Sequence, residues 1–203
     1  MSVAPFYLRP PRVGFAQRIA LFGGSFNPPH GGHRAVADAA LRRLGVDRVW
    51  WMVTPGNPLK STKELLPLAE RIRLTEAIAD HPRMTVTAFE AAAGIRYSAD
   101  AILYLKRRFP AVRFIWLMGA DNLATLHRWQ EWKLIMRSVP VAVVDRPGAS
   151  LAAISSTAAR AFASARRPES QAGALARATP PAWVFLHAPL NSASSTALRA
   201  LGR

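Results

Sequence analysis

The sequence predicts an α/β protein: a Rossmann-like, doubly wound parallel sheet of about five to six strands with helices on both faces. Three features predict it. Nearly unbroken apolar runs recur at residues 19–22, 49–53, 112–118, 139–144 and 183–187, as strands covered on both sides require. Between them lie longer stretches with apolar residues on one helical face. The first two runs are joined by such a stretch, which implies a right-handed βαβ unit and parallel pairing.

Taken in order, the first run leads into Gly23-Gly24 and then a helix beginning near His33. Ala35, Val36, Ala39, Ala40 and Leu44 share its apolar face, and Gly45 stops it. The second strand breaks in the Pro/Gly/Asn-rich stretch from Thr54 to Lys60. Residues 66–80 form a second helix, with Leu68, Ile72, Thr75 and Ile78 on one side and Arg71 and Arg73 on a solvated face. Residues 84–88 alternate as a third strand. Ser98 is expected to cap a helix running to residue 109, with Asp100 in its first turn and Lys106-Arg107-Arg108 in its last. The strand at 112–118 ends in Gly119-Ala120-Asp121, where Asp121 suits a helix start. Residues 149–180 change character: rich in alanine, serine, arginine and proline, they read as a weakly packing insertion, mobile or partly helical. The last strand leads into a short terminal helix.

At 203 residues and 50% hydrophobic, the chain is long enough for one domain with a sizeable core. Residues 18–203 are assigned to that domain and residues 1–17 to a flexible leader. The absence of cysteine removes disulfides, thiolate metal sites and thiol nucleophiles, and it fits a cytoplasmic location. No stretch has the apolar length to span a membrane. The net charge of +15 favours polyanionic partners. The basic residues are scattered, however, with no block longer than Lys106-Arg107-Arg108 and no nucleic-acid-binding signature, which argues against nucleic acid.

The chemistry concentrates in residues 18–33, Arg-Ile-Ala-Leu-Phe-Gly-Gly-Ser-Phe-Asn-Pro-Pro-His-Gly-Gly-His. The order is strand, glycine loop, two histidines, helix start. A helix start offers free N–H groups and a partial positive charge, which suits phosphate. His30 and His33, three apart on a first turn, point the same way and can donate to one phosphate group. The glycines leave no side chain between the backbone and a bound group. Neither a G-x-x-x-x-G-K-[ST] nor a G-x-G-x-x-G pattern is present, and no metal-ligating cluster is expected.

Gly24-Ser25-Phe26-Asn27-Pro28-Pro29-His30-Gly31-Gly32-His33 resembles the G-[ST]-F-[DN]-P-x-H-x-G-H signature of the nucleotidylyltransferase superfamily, and in particular its bacterial nicotinate-nucleotide adenylyltransferases. The resemblance implies transfer of the adenylyl group of ATP, as its magnesium complex, to nicotinate mononucleotide in NAD synthesis. It implies that Gly23, Gly24, Ser25, Phe26, Gly119 and Asp121 bind ATP while His30 and His33 act in catalysis. It further implies that Asn57, Lys60, Tyr97, Ser98, Trp129 and Arg146 bind the acceptor, Trp129 by stacking on its pyridine ring. The superfamily's second signature, I-S-[ST]-T-x-x-R, has two candidates. Residues 154–160 match letter for letter but lie in the alanine-rich segment. Residues 193–199 lack the isoleucine but follow a predicted strand and open a helix, the context a phosphate site needs. The second is therefore preferred, which assigns the β- and γ-phosphates to Ser195, Thr196 and Arg199 and places Arg199 with the two histidines in catalysis.

Direct in-line attack fits this inventory, because phosphoryl-type transfer needs mainly positioning and charge neutralisation. The alternatives are the same chemistry on nicotinamide mononucleotide or phosphopantetheine, or a basic, non-catalytic nucleotide- or nucleic-acid-binding protein. A homo-oligomer is left open.

Overall fold

The computed structural model describes residues 2–56 and 65–188. Seven strands form one sheet in the order β3-β2-β1-β4-β5-β7-β6, and every neighbouring pair is parallel. They are β1 (Arg18–Gly24), β2 (Arg48–Val53), β3 (Met84–Thr87), β4 (Arg113–Gly119), β5 (Val141–Val144), β6 (Arg166–Arg167) and β7 (Trp183–Leu186). The chain winds outward from β1 through β2 to β3, then returns to place β4 on the other side of β1. The reversal opens a crevice at the carboxyl ends of β1 and β4, where open α/β sheets bind ligands.

Strand alternation divides the core into two layers. Phe22, Trp51, Val53, Leu117 and Leu186 face one side, with Val36, Ala40 and Leu44 of helix α1 (Gly31–Arg43) and its end, and Ile72 of α2 (Leu68–Ile78). Leu21, Trp50, Trp116, Val143 and Phe185 face the other. There they meet Phe89 of α3 (Phe89–Ala92), Ile102 and Leu105 of α4 (Ser98–Arg108), Leu123 of α5 (Ala120–Thr125) and Ile135 of α6 (Trp132–Ser138). Trp50 and Trp51, adjacent in sequence and both fully buried, go to opposite layers, as a period of two demands.

The structure departs from expectation in three places. The sheet has seven strands rather than five to six. The extra one, β6, comes from the alanine-rich segment, which is partly helical, as one of its two readings has it, but is well packed instead of weakly packed. That segment forms α7 (Ser150–Ile154), α8 (Thr157–Ala161), β6 and a 3-10 stretch Glu169–Arg177. Ala153, Ala158 and Ala159 are buried in one layer, and Ala172, Leu175 and Ala176 in the other. Small side chains let this backbone approach closely: the Gly173 carbonyl would stand 2.9 Å from a Cβ at Gly45, which also has φ +60° and so closes α1 as a glycine must. Glu169 fastens the segment, pairing with Arg43 at 2.6 Å and accepting from the His187 N–H at 2.8 Å.

The third departure is the leader, which is anchored to the β3 edge. The Tyr7 carbonyl accepts from the Ala88 N–H at 2.8 Å and from the Thr87 hydroxyl at 3.2 Å. The Tyr7 hydroxyl bonds to Glu76, and burial together with that carboxylate holds the phenol well above its ordinary range. Among the described residues no helix is long and apolar enough to cross a membrane.

Candidate active site

The glycine pair lies inside β1, whose pairing with β2 continues to Gly24 opposite Val53. Both positions are reserved for glycine by what crosses them. A Cβ at Gly23 would stand 2.7 Å from Cη2 of Trp116, and one at Gly24 would stand 3.0 Å from the Phe26 ring. Close approach of two rings, rather than a sharp turn, is the requirement. Phe26 has φ +45°, a left-handed conformation uncommon for a bulky residue. Its ring is held there among Phe22, Trp51 and His33, at centroid distances of 5.4, 5.2 and 5.1 Å. Such a backbone persists only where its surroundings over-determine it.

The two histidines cap α1 reciprocally. His30 is the N-cap; its Nδ1 accepts from the Gly32 N–H at 3.1 Å, while Nδ1 of His33 accepts from the His30 N–H at 3.3 Å. The rings lie 3.9 Å apart. Because each Nδ1 is an acceptor, the neutral form of each ring carries its proton on Nε2. His30 is 4% exposed. Burial, and then the positive charge of Arg146, push its pKa down to about 4, with Asp121 pulling weakly the other way. It is therefore a neutral donor at pH 7. No acidic side chain occupies the first turn of α1 to cancel its positive end.

Asp121 and Arg146 stand together, 3.7 Å apart, at the ends of β4 and β5. Of the two roles open to Asp121, helix cap or site residue, the cap is not observed: Gly119 is the N-cap of α5 and no side chain caps that helix. A Cβ at Gly119 would collide with both Asp121 and Arg146, so the glycine makes room for the pair. Ser98 likewise begins α4 instead of capping it, the cap position being Tyr97.

A pocket of about 310 Å³ brings the signature to the acceptor residues. Gly23, Gly24 and Ser25 line it together with Thr54, Gly56, Tyr97, Ser98 and Trp129. Trp129 is half-buried and meets Trp116 edge-on at 6.5 Å, so the ring that crosses Gly23 also braces the proposed stacking surface. Arg146, expected with the acceptor residues, lies outside this pocket, beside Asp121 and His30. Thr54, Gly56, Gln130, Arg96 and Arg128 also line the pocket without having been assigned to the site from sequence; the two arginines escaped because scattered arginines carry no local signal in so basic a chain. Trp132 packs against Phe162 at 5.9 Å, a core role.

The larger omission is Arg71. Expected on a solvated face, it is 1% exposed and donates to four main-chain carbonyls: Leu66 at 2.9 Å, Ser25 at 2.8 Å, Thr54 at 2.7 Å and Pro55 at 3.1 Å. Arg73, two residues on, is exposed, as expected, and pairs with Glu70. Asn27 completes the arrangement, its Oδ1 accepting from the Leu66 N–H at 3.0 Å.

Asn57, Lys60, Ser195, Thr196 and Arg199 lie outside the described residues, as does the terminal helix. The competing candidate at 154–160 is described: Ser156 caps α8 by accepting from the Ala159 N–H at 3.2 Å, a local structural use of that serine. A hollow of about 950 Å³ between the leader, α2 and β3 holds no signature residue.

A loop that offers imidazole donors at a helix start, joined to an aromatic-walled pocket at the switch point of a parallel sheet, describes a nucleotidyl-transfer site. The chain belongs to the cytidylyltransferase-like family, whose profile matches residues 21–201. Within it, the chain is 58% identical over 181 residues to a protein of Rhizobium meliloti (89% of this chain, 96% of the relative). It is 56% identical over 181 residues to one of Brucella abortus (89% and 93%). Each is named "Probable nicotinate-nucleotide adenylyltransferase". The fold also matches the solved Plasmodium falciparum nicotinic acid mononucleotide adenylyltransferase complexed with NaAD, with a TM-score of 0.68 at 16% identity, covering 91% of this chain and 83% of that one.

Proposed function

We propose that the chain transfers the adenylyl group of ATP to nicotinate mononucleotide, giving nicotinate adenine dinucleotide and pyrophosphate. The observation that carries this reading is the single pocket in which the glycine end of β1, Tyr97, Ser98 and Trp129 meet, one loop away from the capped histidine pair. The acceptor's pyridine ring lies on the Trp129 indole, a favourable pairing of an electron-poor ring with an electron-rich face. Phosphopantetheine has no ring to place there. Arg96 and Arg128, on the same pocket wall set, favour an acceptor with a ring carboxylate over its neutral amide.

An oxygen of the acceptor's 5′-phosphate attacks the α-phosphorus of ATP. The bond from that phosphorus to the oxygen bridging it to the β-phosphate breaks, and pyrophosphate leaves with the electron pair. The attacking phosphate, with its second pKa about 6, is already ionised near pH 7, so no general base is needed. The Nε2–H groups of His30 and His33 donate to the phosphate oxygens as charge builds, and removing one such preorganised donor costs about 100- to 1,000-fold. Arg199, Ser195 and Thr196 hold the β- and γ-phosphates in this reading, and Asn57 and Lys60 assist the acceptor. Gly119 and Asp121 face the nucleotide. Arg146, paired with Asp121 beside His30, is better suited to a phosphate than to the acceptor ring. Magnesium arrives on ATP, held by phosphates and water; among the described residues no cluster of His, Cys, Asp or Glu forms a cage for it. A cytoplasmic location belongs to the same proposal.

The test is pyrophosphate release from ATP and magnesium with nicotinate mononucleotide, nicotinamide mononucleotide or phosphopantetheine, on wild type and His33→Ala. Release with the nicotinate compound, lost in the variant, is expected. No release with any acceptor, from a folded protein that binds ATP, would overturn the reading in favour of a binding module.

A further inference from the structure

Among the described residues Arg71 is a sealed cation with no carboxylate partner, and its four hydrogen bonds connect three separate stretches of chain. Ser25 follows β1, Thr54 and Pro55 follow β2, and Leu66 precedes α2. All lie at the carboxyl edge of the sheet, and Ser25 and Thr54 line the pocket. A neighbouring bond, from the Thr54 N–H to the Gly24 carbonyl at 3.0 Å, extends the β1–β2 ladder into the same place. Burial lowers the guanidinium's pKa only to about 10, so it stays charged at neutral pH.

Peptide planarity turns these contacts into a constraint on the pocket. In a trans peptide the C=O and N–H point in opposite directions. Holding the Ser25 carbonyl toward Arg71 therefore turns the Phe26 N–H away from it. Holding the Pro55 carbonyl does the same for the N–H of Gly56, itself a pocket residue. Among the described residues neither N–H is given to another group. Among the described residues no carboxylate pairs with the positive charge beneath them, which adds to the field an anion meets above.

We propose that Arg71 is a positioning residue for the transfer reaction: from beneath the pocket it fixes the loops after β1 and β2 so that the Phe26 and Gly56 N–H groups face the anionic substrates. This inference rests on the adenylyl-transfer reading. A rigid fork with five donors can span four carbonyls; a lysine ammonium keeps the charge but has three donors on one atom. Charge and geometry are therefore separable.

The experiment compares Arg71→Lys and Arg71→Ala with wild type by circular-dichroism melting and by pyrophosphate release at saturating ATP and nicotinate mononucleotide, below the melting point of each variant. The expected result is kcat per folded enzyme lowered about 100-fold in Arg71→Lys, the scale of a misplacement of about 1 Å. In Arg71→Ala the loss is larger and is partly and saturably restored by methylguanidinium but not by methylammonium. Folded variants with kcat within about 3-fold of wild type would overturn the proposal. So would failure of both variants to fold, since Arg71 would then serve structure alone. Wild type inactive with every acceptor refutes the adenylyl-transfer reading instead, which keeps the two failures distinct.

Discussion

Gly23→Ala tests the reason a glycine stands at the end of β1. Its new methyl would sit 2.7 Å from Cη2 and 3.4 Å from Cζ2 of Trp116, where carbon pairs prefer about 3.5–4.0 Å. The indole therefore has to retreat by roughly 1 Å. It has little space to do so, being 1% exposed and braced by Trp129. Overpacking of this kind costs about 1–3 kcal/mol. Trp116→Phe removes the colliding atom at the expense of its own cavity, so the two changes must be non-additive. The double variant should recover about 1–2 kcal/mol relative to the sum of the singles. Urea unfolding followed by far-ultraviolet circular dichroism reads the cycle, since tryptophan fluorescence would change with the probe. A Gly23→Ala cost below about 0.5 kcal/mol, or the same cost in both backgrounds, would refute the argument.

Four further outcomes follow from the same geometry. His30→Asn keeps a good N-cap but loses the Nε2 donor, so stability should stay within about 1 kcal/mol while kcat falls at least about 100-fold; melting and pyrophosphate release check the pair. Glu90 is 5% exposed, and burial pushes its pKa up to about 8. The native state therefore keeps a proton that the unfolded chain releases, and stability falls as pH rises from the ordinary carboxylate range toward 8; Glu90→Gln should flatten that slope, and equal urea-midpoint slopes in both proteins would sink the assignment. His30 acts at the other end: with a pKa of about 4 in the fold, it costs stability as pH falls from about 6.5 toward 4, yet it should add no acid limb to activity above pH 5. Trp129→Ala should raise KM for the nicotinate acceptor by about 10-fold, with Trp129→Phe recovering part of it, an aromatic contact being worth about 0.5–1.5 kcal/mol beyond its buried area.

What could be read in advance followed physical locality. The strands were legible because a parallel sheet covered on both faces makes its strands apolar at nearly every position, as in Trp50-Trp51-Met52-Val53. The histidine spacing was legible because two residues on one helical turn face the same way wherever the helix lies. Gly23 and Gly24 were read as essential, but the reason lies in the Trp116 and Phe26 rings, and ring contacts across strands leave no trace in a linear string. Arg71 was misread because its partners are 5, 16, 17 and 46 residues away in sequence; only the folded edge of the sheet brings those carbonyls to one point. The alanine-rich segment was misread because low side-chain bulk resembles an inability to pack. Here it permits close backbone approach, secured by Trp183, whose Nε1–H donates to the Phe162 carbonyl at 2.8 Å.

The use of histidine, rather than lysine or arginine, at the head of α1 follows from how crowded and buried that position is. His30 is 4% exposed, and a permanent cation there would bear a desolvation penalty of several kcal/mol without a carboxylate partner. A neutral imidazole escapes it. The ring also satisfies a helix-start N–H through Nδ1, so capping and donation are two ends of one side chain. The capping bond fixes the tautomer, and the tautomer directs the remaining proton to a ligand. The positive charge of Arg146 strengthens the arrangement by opposing protonation of the imidazole. The permanent cations, Arg71 beneath the loops and Arg146 beside the pair, stand where main-chain carbonyls or Asp121 accept from them or balance them. In the proposed reaction charge stands at fixed points around the phosphates, while His30 remains a neutral donor that needs no change of protonation state during transfer.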